Sequence, residues 1–167
     1  MKYCSSTNTK TIENSLQCWF SNARKVVIAG IGSLLRKDDF VGVKIVRNLQ
    51  EKDLQSVYLI ECETVPENFI KPIREFGPTH VLIIDAAQLN LPPGTVKLLE
   101  SDAIAGVPII THALPLHLFC EYLEKVTGAK VALLAIQPKE IGFGEGLTSE
   151  LKKTANALTN LLLDILS

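Results

Sequence analysis

The sequence has no long apolar run and no excess of either charge, and each absence excludes a class of protein. Its 167 residues carry 17 Lys and Arg against 18 Asp and Glu, so no general attraction to nucleic acid or to an anionic membrane is expected. No apolar stretch approaches the roughly 18 to 20 residues of a membrane span. The first residues, MKYCSSTNTK, lack the apolar core of a signal peptide. We therefore expect a cytoplasmic protein that neither enters a membrane nor binds nucleic acid.

Cysteine motifs are also missing. Cys4, Cys18, Cys62 and Cys120 form no CxxC pair, which argues against a thiolate zinc site or a redox motif. In a reducing cytosol most of them should be free thiols. Cys62 is interpreted as a small apolar residue at a strand end, with a chemical role as the alternative.

The length and composition indicate one globular domain over residues 1–167. Apolar residues make up 47% and charged residues 21%, close to the averages for globular proteins. The apolar residues of segment 12–23 recur at helical spacing, so we expect residues 1–24 to be an extension with an amphipathic helix. This helix either lies on the domain or forms an interface. The domain proper then occupies residues 25–167.

Strand and helix signals alternate along the rest of the chain. The strand candidates are 25–30, 56–63, 80–87, 95–100 and 130–138, and apolar stripes at helical spacing separate most of them. Such alternation predicts an α/β fold, a three-layer α/β/α sandwich around a mostly parallel five-stranded sheet. The short fourth strand follows a Pro-Pro-Gly turn and is the candidate for an antiparallel edge.

Three segments place metal-capable side chains just past apolar runs. GIGSLLRKDDFVG contributes Asp38 and Asp39, VLIIDA contributes Asp85, and ITHALP contributes His112. The carboxyl edge of a parallel sheet is where open α/β proteins bind their ligands. Two carboxylates and one imidazole would form an incomplete metal site there.

Each of these residues also has a structural interpretation. Capping of the following helix is the favoured interpretation for Asp38, and it leaves Asp39 open. Asp85 either bonds to N–H groups of its own loop or holds a functional charge. A lone loop histidine such as His112 is commonly just solvated. His117 is out of phase with it, and His80, at the opposite end of a strand, is expected to be structural.

Other chemistries fit the sequence less well. Gly30 and Gly32 resemble the start of a dinucleotide-binding loop, but Leu35 occupies the place of the third glycine, and the two acids would repel a pyrophosphate. A thiol hydrolase would need Cys62 and His112 in contact, which nothing in the sequence indicates.

Five stretches, taken in order, resemble the hydrogenase maturation proteases. They are VVIAGIGSLLRKDDFVGVKIV, ETVPEN, VLIIDA, ITHALPL and LAIQPKEIGFGEGLT. Proteins of this family are endopeptidases that trim the large subunit of [NiFe] hydrogenases, and the likeness is closest to the branch serving formate-hydrogenlyase and archaeal hydrogenases.

The resemblance implies a twisted five-stranded sheet and a site made of Asp39, Asp85 and His112. The family's acid is the second of the adjacent pair, which selects Asp39 over Asp38. The implied partner is the [NiFe]-hydrogenase large-subunit precursor, which brings nickel with it, and no organic cofactor is expected. We hypothesise that the cation polarises the scissile carbonyl or activates a water while Asp39 or Asp85 acts as base.

Two positions depart from the family pattern, and one alternative function stays open. Ser33 replaces a usual asparagine and Phe40 a usual glycine, so the turn geometry or the substrate rim is expected to differ here. The loops near Gly32 and Gly144, with Leu34 and Leu35, are expected to line the peptide cleft. The alternative is a non-enzymatic nickel-binding module or chaperone, which would need the same three ligands without turnover.

Overall fold

A five-stranded sheet forms the centre of the protein. The computed structural model describes residues 9–107 and 115–167. The strands are β1 (Val26–Ile31), β2 (Val57–Glu63), β3 (His80–Ala86), β4 (Val96–Glu100) and β5 (Lys130–Ile136). Their order is β2-β1-β3-β5-β4, and only the β4–β5 pairing is antiparallel. The predicted α/β fold and the antiparallel edge strand are confirmed.

Helices cover both faces of this sheet. They are α1 (Thr9–Trp19), α2 (Val41–Gln50), α3 (Ile70–Phe76), α4 (Ser101–Ile104), α5 (Leu116–Thr127) and α6 (Ser149–Leu166). Buried side chains of α1, α2 and α6 share one core cluster with one face of the sheet, and those of α3, α4 and α5 share a second cluster with the other face. None of the described helices has the length and apolar character needed to cross a membrane.

The two central strands explain why the sequence reads as continuous apolar runs. Every residue of β1 and of β3 is buried, because helices cover both faces and leave neither exposed to water. Alternation along β3 sends Leu82 and Ile84 into one core and Val81 and Ile83 into the other. The same alternation directs Asp85 toward the face covered by α3 and α5.

The N-terminal helix lies on the domain, which was the first of the two alternatives. Leu16 is fully buried, and Ile12, Trp19 and Phe20 are nearly so, all within the core of α2 and α6. The helix ends at Trp19, earlier than predicted. Pro66 suits the first turn of an α-helix, but the residues from Pro66 form a 3₁₀ helix (Pro66–Phe69) before α3 begins. Gly77 ends α3 in the left-handed conformation, which is common for glycine at the end of a helix.

His80 is structural, as expected, and its ring packs against the first helix. It is 3% exposed, its Nδ1 lies 3.0 Å from Thr79 Oγ1, and the ring of Trp19 meets it edge-on at 4.9 Å. Burial lowers the pKa of His80, the charge of Lys130 lowers it further, and a hydrogen bond with the Trp19 main chain acts the opposite way. The neutral ring is therefore the form that the folded protein prefers.

This preference makes stability depend on pH. The unfolded chain binds a proton at His80 more readily than the folded chain does, so the free energy of unfolding should fall as the pH drops below about 6.5. We expect a His80→Phe variant to lose that part of the acid dependence, up to about 1.4 kcal/mol per pH unit. Urea unfolding at pH 7.5 and pH 5.5 measures it. His117→Phe is the control, and an unchanged acid slope in His80→Phe would contradict the assignment.

Candidate active site

The base of the site is formed by a short 3₁₀ helix and by the glycines that let it approach the sheet. The 3₁₀ helix (Lys37–Phe40) follows the loop after β1 and contacts β3. A Cβ on Gly32 would lie 1.9 Å from the carbonyl oxygen of Asp39, and one on Gly42 would lie 2.1 Å from that of Ile84. Only glycine permits backbone contacts this close. The segment that carries the two acids therefore lies directly on the carboxyl ends of β1 and β3.

A hydrogen bond fixes the orientation of the buried Asp39 carboxylate. Asp39 is 1% exposed, and its Oδ2 accepts a 2.9 Å hydrogen bond from the backbone N–H of Ser33. The Ser33 hydroxyl in turn accepts a bond from the N–H of Leu35 at 3.3 Å. A buried carboxylate fixed on one oxygen has its other oxygen in a defined position, which suits either a ligand or a base.

Asp38 does not cap the helix that follows it, so the favoured sequence interpretation was wrong. Neither the 3₁₀ helix nor α2 has a side-chain cap. The fully buried carboxylate instead accepts backbone N–H bonds from Lys139 (2.9 Å), Glu140 (3.0 Å) and Thr148 (2.7 Å), and a bond from the Thr148 hydroxyl. Asp38 thereby joins the acid segment to the loop before α6. Thr148 stands at the N-cap position of α6, but its hydroxyl serves Asp38.

Asp85 stands near the end of β3, fully buried and paired in register with Ala135 of β5. It lies at the same edge as the 3₁₀ helix, because that helix contacts β3 and Gly42 abuts the carbonyl of the preceding residue, Ile84. Two acids that are distant in the sequence therefore share one edge of the sheet.

The third expected residue, His112, lies outside the described residues. Within 9–107 and 115–167, no group of three or more His, Cys, Asp or Glu side chains is placed to hold a metal ion. Asp39 and Asp85 nevertheless supply the carboxylate oxygens that hard and borderline cations accept, so the donor chemistry present at the edge fits the expected site.

Cys62 lacks the properties of a nucleophile. The thiol is fully buried, and burial together with the negative charges of Asp85 and Glu67 raises its pKa to about 12. A thiol that stays protonated at neutral pH does not attack a carbonyl efficiently. Cys18 and Cys120 are also free thiols, in agreement with the sequence expectation.

Ser33 and Phe40, the two residues that depart from the family pattern, cause no backbone strain. Phe40 has φ −75° and ψ −5°, a helical conformation open to any residue, so a positive φ is not needed there. Its ring is buried beneath the guanidinium of Arg47, 5.0 Å from the ring centre. Positive φ values in this stretch occur at Gly32 and Lys37 instead. Ser33 holds Asp39 through its main-chain N–H, which any residue except proline supplies, while its hydroxyl accepts the Leu35 N–H.

Two other features of this edge were not predicted. Gln137, 4% exposed, accepts bonds from the N–H groups of Leu89 and Leu91 and donates to Gln88, which orders the loop after β3. Phe143 lies 86% exposed in the loop that Asp38 holds. The pattern Gly-Phe-Gly is the one signal that would have marked it, because an aromatic residue between two glycines has no neighbouring side chains to cover it.

The fold and the paired acids define the class: a three-layer α/β protein with buried carboxylates where its parallel strands end. A family model described as hydrogenase maturation protease (HycI) matches residues 43–165. A putative hydrogenase maturation protease of Methanocaldococcus jannaschii is 39% identical over 153 residues, 87% of this chain and 90% of that protein. The chain belongs to the hydrogenase maturation protease family, whose members are endopeptidases.

Two further relatives agree with this assignment. The hydrogenase 3 maturation protease of Escherichia coli is 32% identical over 127 residues, 75% of this chain and 81% of that protein. The crystal structure of a [NiFe] hydrogenase maturation protease HycI from Thermococcus kodakarensis superimposes with a TM-score of 0.85 at 30% identity. That match covers 91% of this chain and 98% of the other.

Proposed function

We propose that this protein is a nickel-dependent endopeptidase that removes the C-terminal extension of a [NiFe]-hydrogenase large-subunit precursor after nickel insertion. The observation that carries the proposal is the presence of two buried acids, Asp39 and Asp85, at one edge of the sheet in a member of this protease family. Carboxylate oxygens are ligands that hard and borderline cations accept, so both acids could coordinate a cation brought by the substrate.

The direction of α5 supports His112 as the third member of the site. β5 begins at Lys130, which pairs with His80 at the amino end of β3. Because α5 ends at Thr127 just before that strand, and its 12 residues span about 18 Å, its first turn lies toward the carboxyl edge. His112 precedes that turn by four residues, and α5 covers the face toward which Asp85 points.

Such a donor set would recognise nickel as part of the substrate. Two carboxylates and one imidazole are an incomplete set that binds nickel weakly by itself. Thiolates of the precursor would complete the coordination, so affinity would be high only for a precursor that already contains the metal. The binding free energies of loaded and empty precursors would then differ by the energy of metal coordination, whatever the peptide sequence of the precursor.

The residues also suggest how the peptide bond is hydrolysed. The Ser33 N–H fixes Oδ2 of Asp39, and we assign the other oxygen to the nickel or to the attacking water. The oxygen of the attacking water bonds to the scissile carbonyl carbon, and one carboxylate takes a proton from that water at the same time. When the C–N bond breaks, the proton passes to the leaving amine, so the products are a new carboxylate terminus and a free tail.

The test is to incubate the protein with nickel-loaded and nickel-free large-subunit precursor from the same organism. We expect mass spectrometry to show the loaded precursor shortened by one C-terminal fragment, and the empty precursor at full mass. Omission of the protein controls for spontaneous cleavage. Equal cleavage of both precursors would contradict the nickel requirement. Stoichiometric nickel uptake without shortening would favour the chaperone alternative.

A further inference from the structure

Three exposed apolar side chains lie on two loops at the carboxyl edge of the sheet. Phe143 is 86% exposed, Leu35 48% and Leu34 44%. Exposing a large apolar side chain forgoes the favourable free energy of burying it, and such residues grouped together commonly mark interaction sites. We call these three residues the apolar rim. Its parts come from the loop after β1 and from the loop before α6.

Backbone hydrogen bonds join the two loops into one unit. The N–H of Gly144 donates to the carbonyl of Leu35 at 2.9 Å, and the N–H of Lys37 donates to the carbonyl of Gly144 at 3.0 Å. The N–H of Asp38 donates to the carbonyl of Glu140, while the Asp38 carboxylate holds the Glu140 N–H in return. Phe143, which precedes Gly144, is therefore fixed next to Leu35.

The apolar rim is continuous with the candidate active site. Leu34 and Leu35 follow Ser33, whose N–H holds the Asp39 carboxylate. Asp38, adjacent to Asp39, anchors the loop that carries Phe143. A peptide whose scissile bond lies at Asp39 would therefore pass over the apolar rim as it enters or leaves the site.

Two lysines beside the apolar rim form ion pairs with nearby glutamates. Lys37 pairs with Glu140 at 2.5 Å, and Lys139 pairs with Glu150 at 2.6 Å. Gly142 and Gly144 flank Phe143 and place no side chain over it. Neutralised lysines and an uncovered aromatic ring favour an apolar partner over an acidic one.

We propose that the apolar rim binds an extended, apolar stretch of the large-subunit precursor next to the scissile bond, with Phe143 as the main anchor. This inference rests on the proposed function, and it adds a determinant of specificity that acts on peptide side chains rather than on nickel. Binding in this way contributes equally before and during the reaction. Losing it should therefore raise KM while leaving kcat nearly unchanged.

The test is the cleavage kinetics of a Phe143→Ser variant on nickel-loaded precursor. We expect KM to rise roughly tenfold, the size expected when one buried aromatic contact is lost, and kcat to stay within about twofold. Tyr122→Ser is the matched control, because Tyr122 is 50% exposed but lies on α5, in the opposite helix layer. The Kd of the precursor for Phe143→Ser in an uncleaving Asp39→Asn background should rise by a similar factor.

Failure of the proposed function and failure of substrate binding by the apolar rim give different results. If the unaltered protein cleaves no precursor, the proposed function fails. If it cleaves normally and Phe143→Ser retains the original KM and Kd, the apolar rim does not bind substrate. Self-association is the competing use of such a surface. A dimer that Phe143→Ser converts to monomer in sedimentation, with KM unchanged, would also overturn the proposal.

Discussion

An Asp39→Asn variant is expected to fold normally, bind the nickel-loaded precursor less tightly and leave it uncut. Asparagine has nearly the same shape, and its Oδ1 can still accept the bond that Ser33 N–H gives to the aspartate, so the free energy of unfolding should change by less than about 1 kcal/mol. What the amide cannot do is take a proton from water or offer an anionic oxygen to a cation. We expect kcat/KM to fall by about three orders of magnitude, within the range of lost general-base catalysis.

The measurement combines thermal unfolding with precursor cleavage followed by mass spectrometry. Asp164→Asn, at an exposed position of α6, removes one negative charge elsewhere and serves as the control for net charge. Retention of more than about a tenth of the activity in Asp39→Asn would refute the assigned role of this carboxylate.

The neighbouring Asp38→Asn substitution should produce the opposite result, a large loss of stability. Its carboxylate accepts three backbone N–H bonds and one hydroxyl bond while fully buried. An amide turns one acceptor oxygen into a donor that faces donors, so buried groups lose their partners. We expect a loss of about 3 kcal/mol, which lowers Tm by about 10 °C for a chain of this size.

Activity should fall as well, because the loop with Phe143 is no longer held against the acid segment. At a temperature where Asp38→Asn remains folded, we expect KM to rise more than kcat falls. The same Asp164→Asn variant controls for charge in the unfolding experiment. A Tm within 2 °C of the unaltered protein, taken as roughly 0.5 to 1 kcal/mol, would show that these bonds contribute little.

The sequence predicted the elements well because their signals are local. The buried strands β1 and β3 appear as apolar runs, and the stripe of Val41, Ile45, Val46 and Leu49 identifies α2 in full. Errors are confined to places where local rules give weak guidance, such as the end of α1 and the 3₁₀ turn at Pro66. A single turn of 3₁₀ helix has no periodicity long enough to detect.

The site was predictable only in part, because its determinants are contacts between distant segments. Positions after apolar runs made Asp38, Asp39 and Asp85 candidates, and the resemblance to the family selected Asp39 over Asp38. The partners of Asp38 lie 101 to 110 residues away in the sequence, and no local rule indicates that a backbone N–H so distant needs an acceptor. Capping was the reasonable local interpretation, and tertiary structure gave the side chain a different use.

The bonds between Asp38 and the segment before α6 can form only after most of the chain has been synthesised. During synthesis the acid segment emerges early, but its carboxylate lacks partners until Lys139, Glu140 and Thr148 have left the ribosome. Contacts of such long sequence separation form late, because they close a large loop. A nascent or C-terminally truncated chain would therefore carry Asp38 and Asp39 without the segment that holds the Asp38 carboxylate in the folded protein.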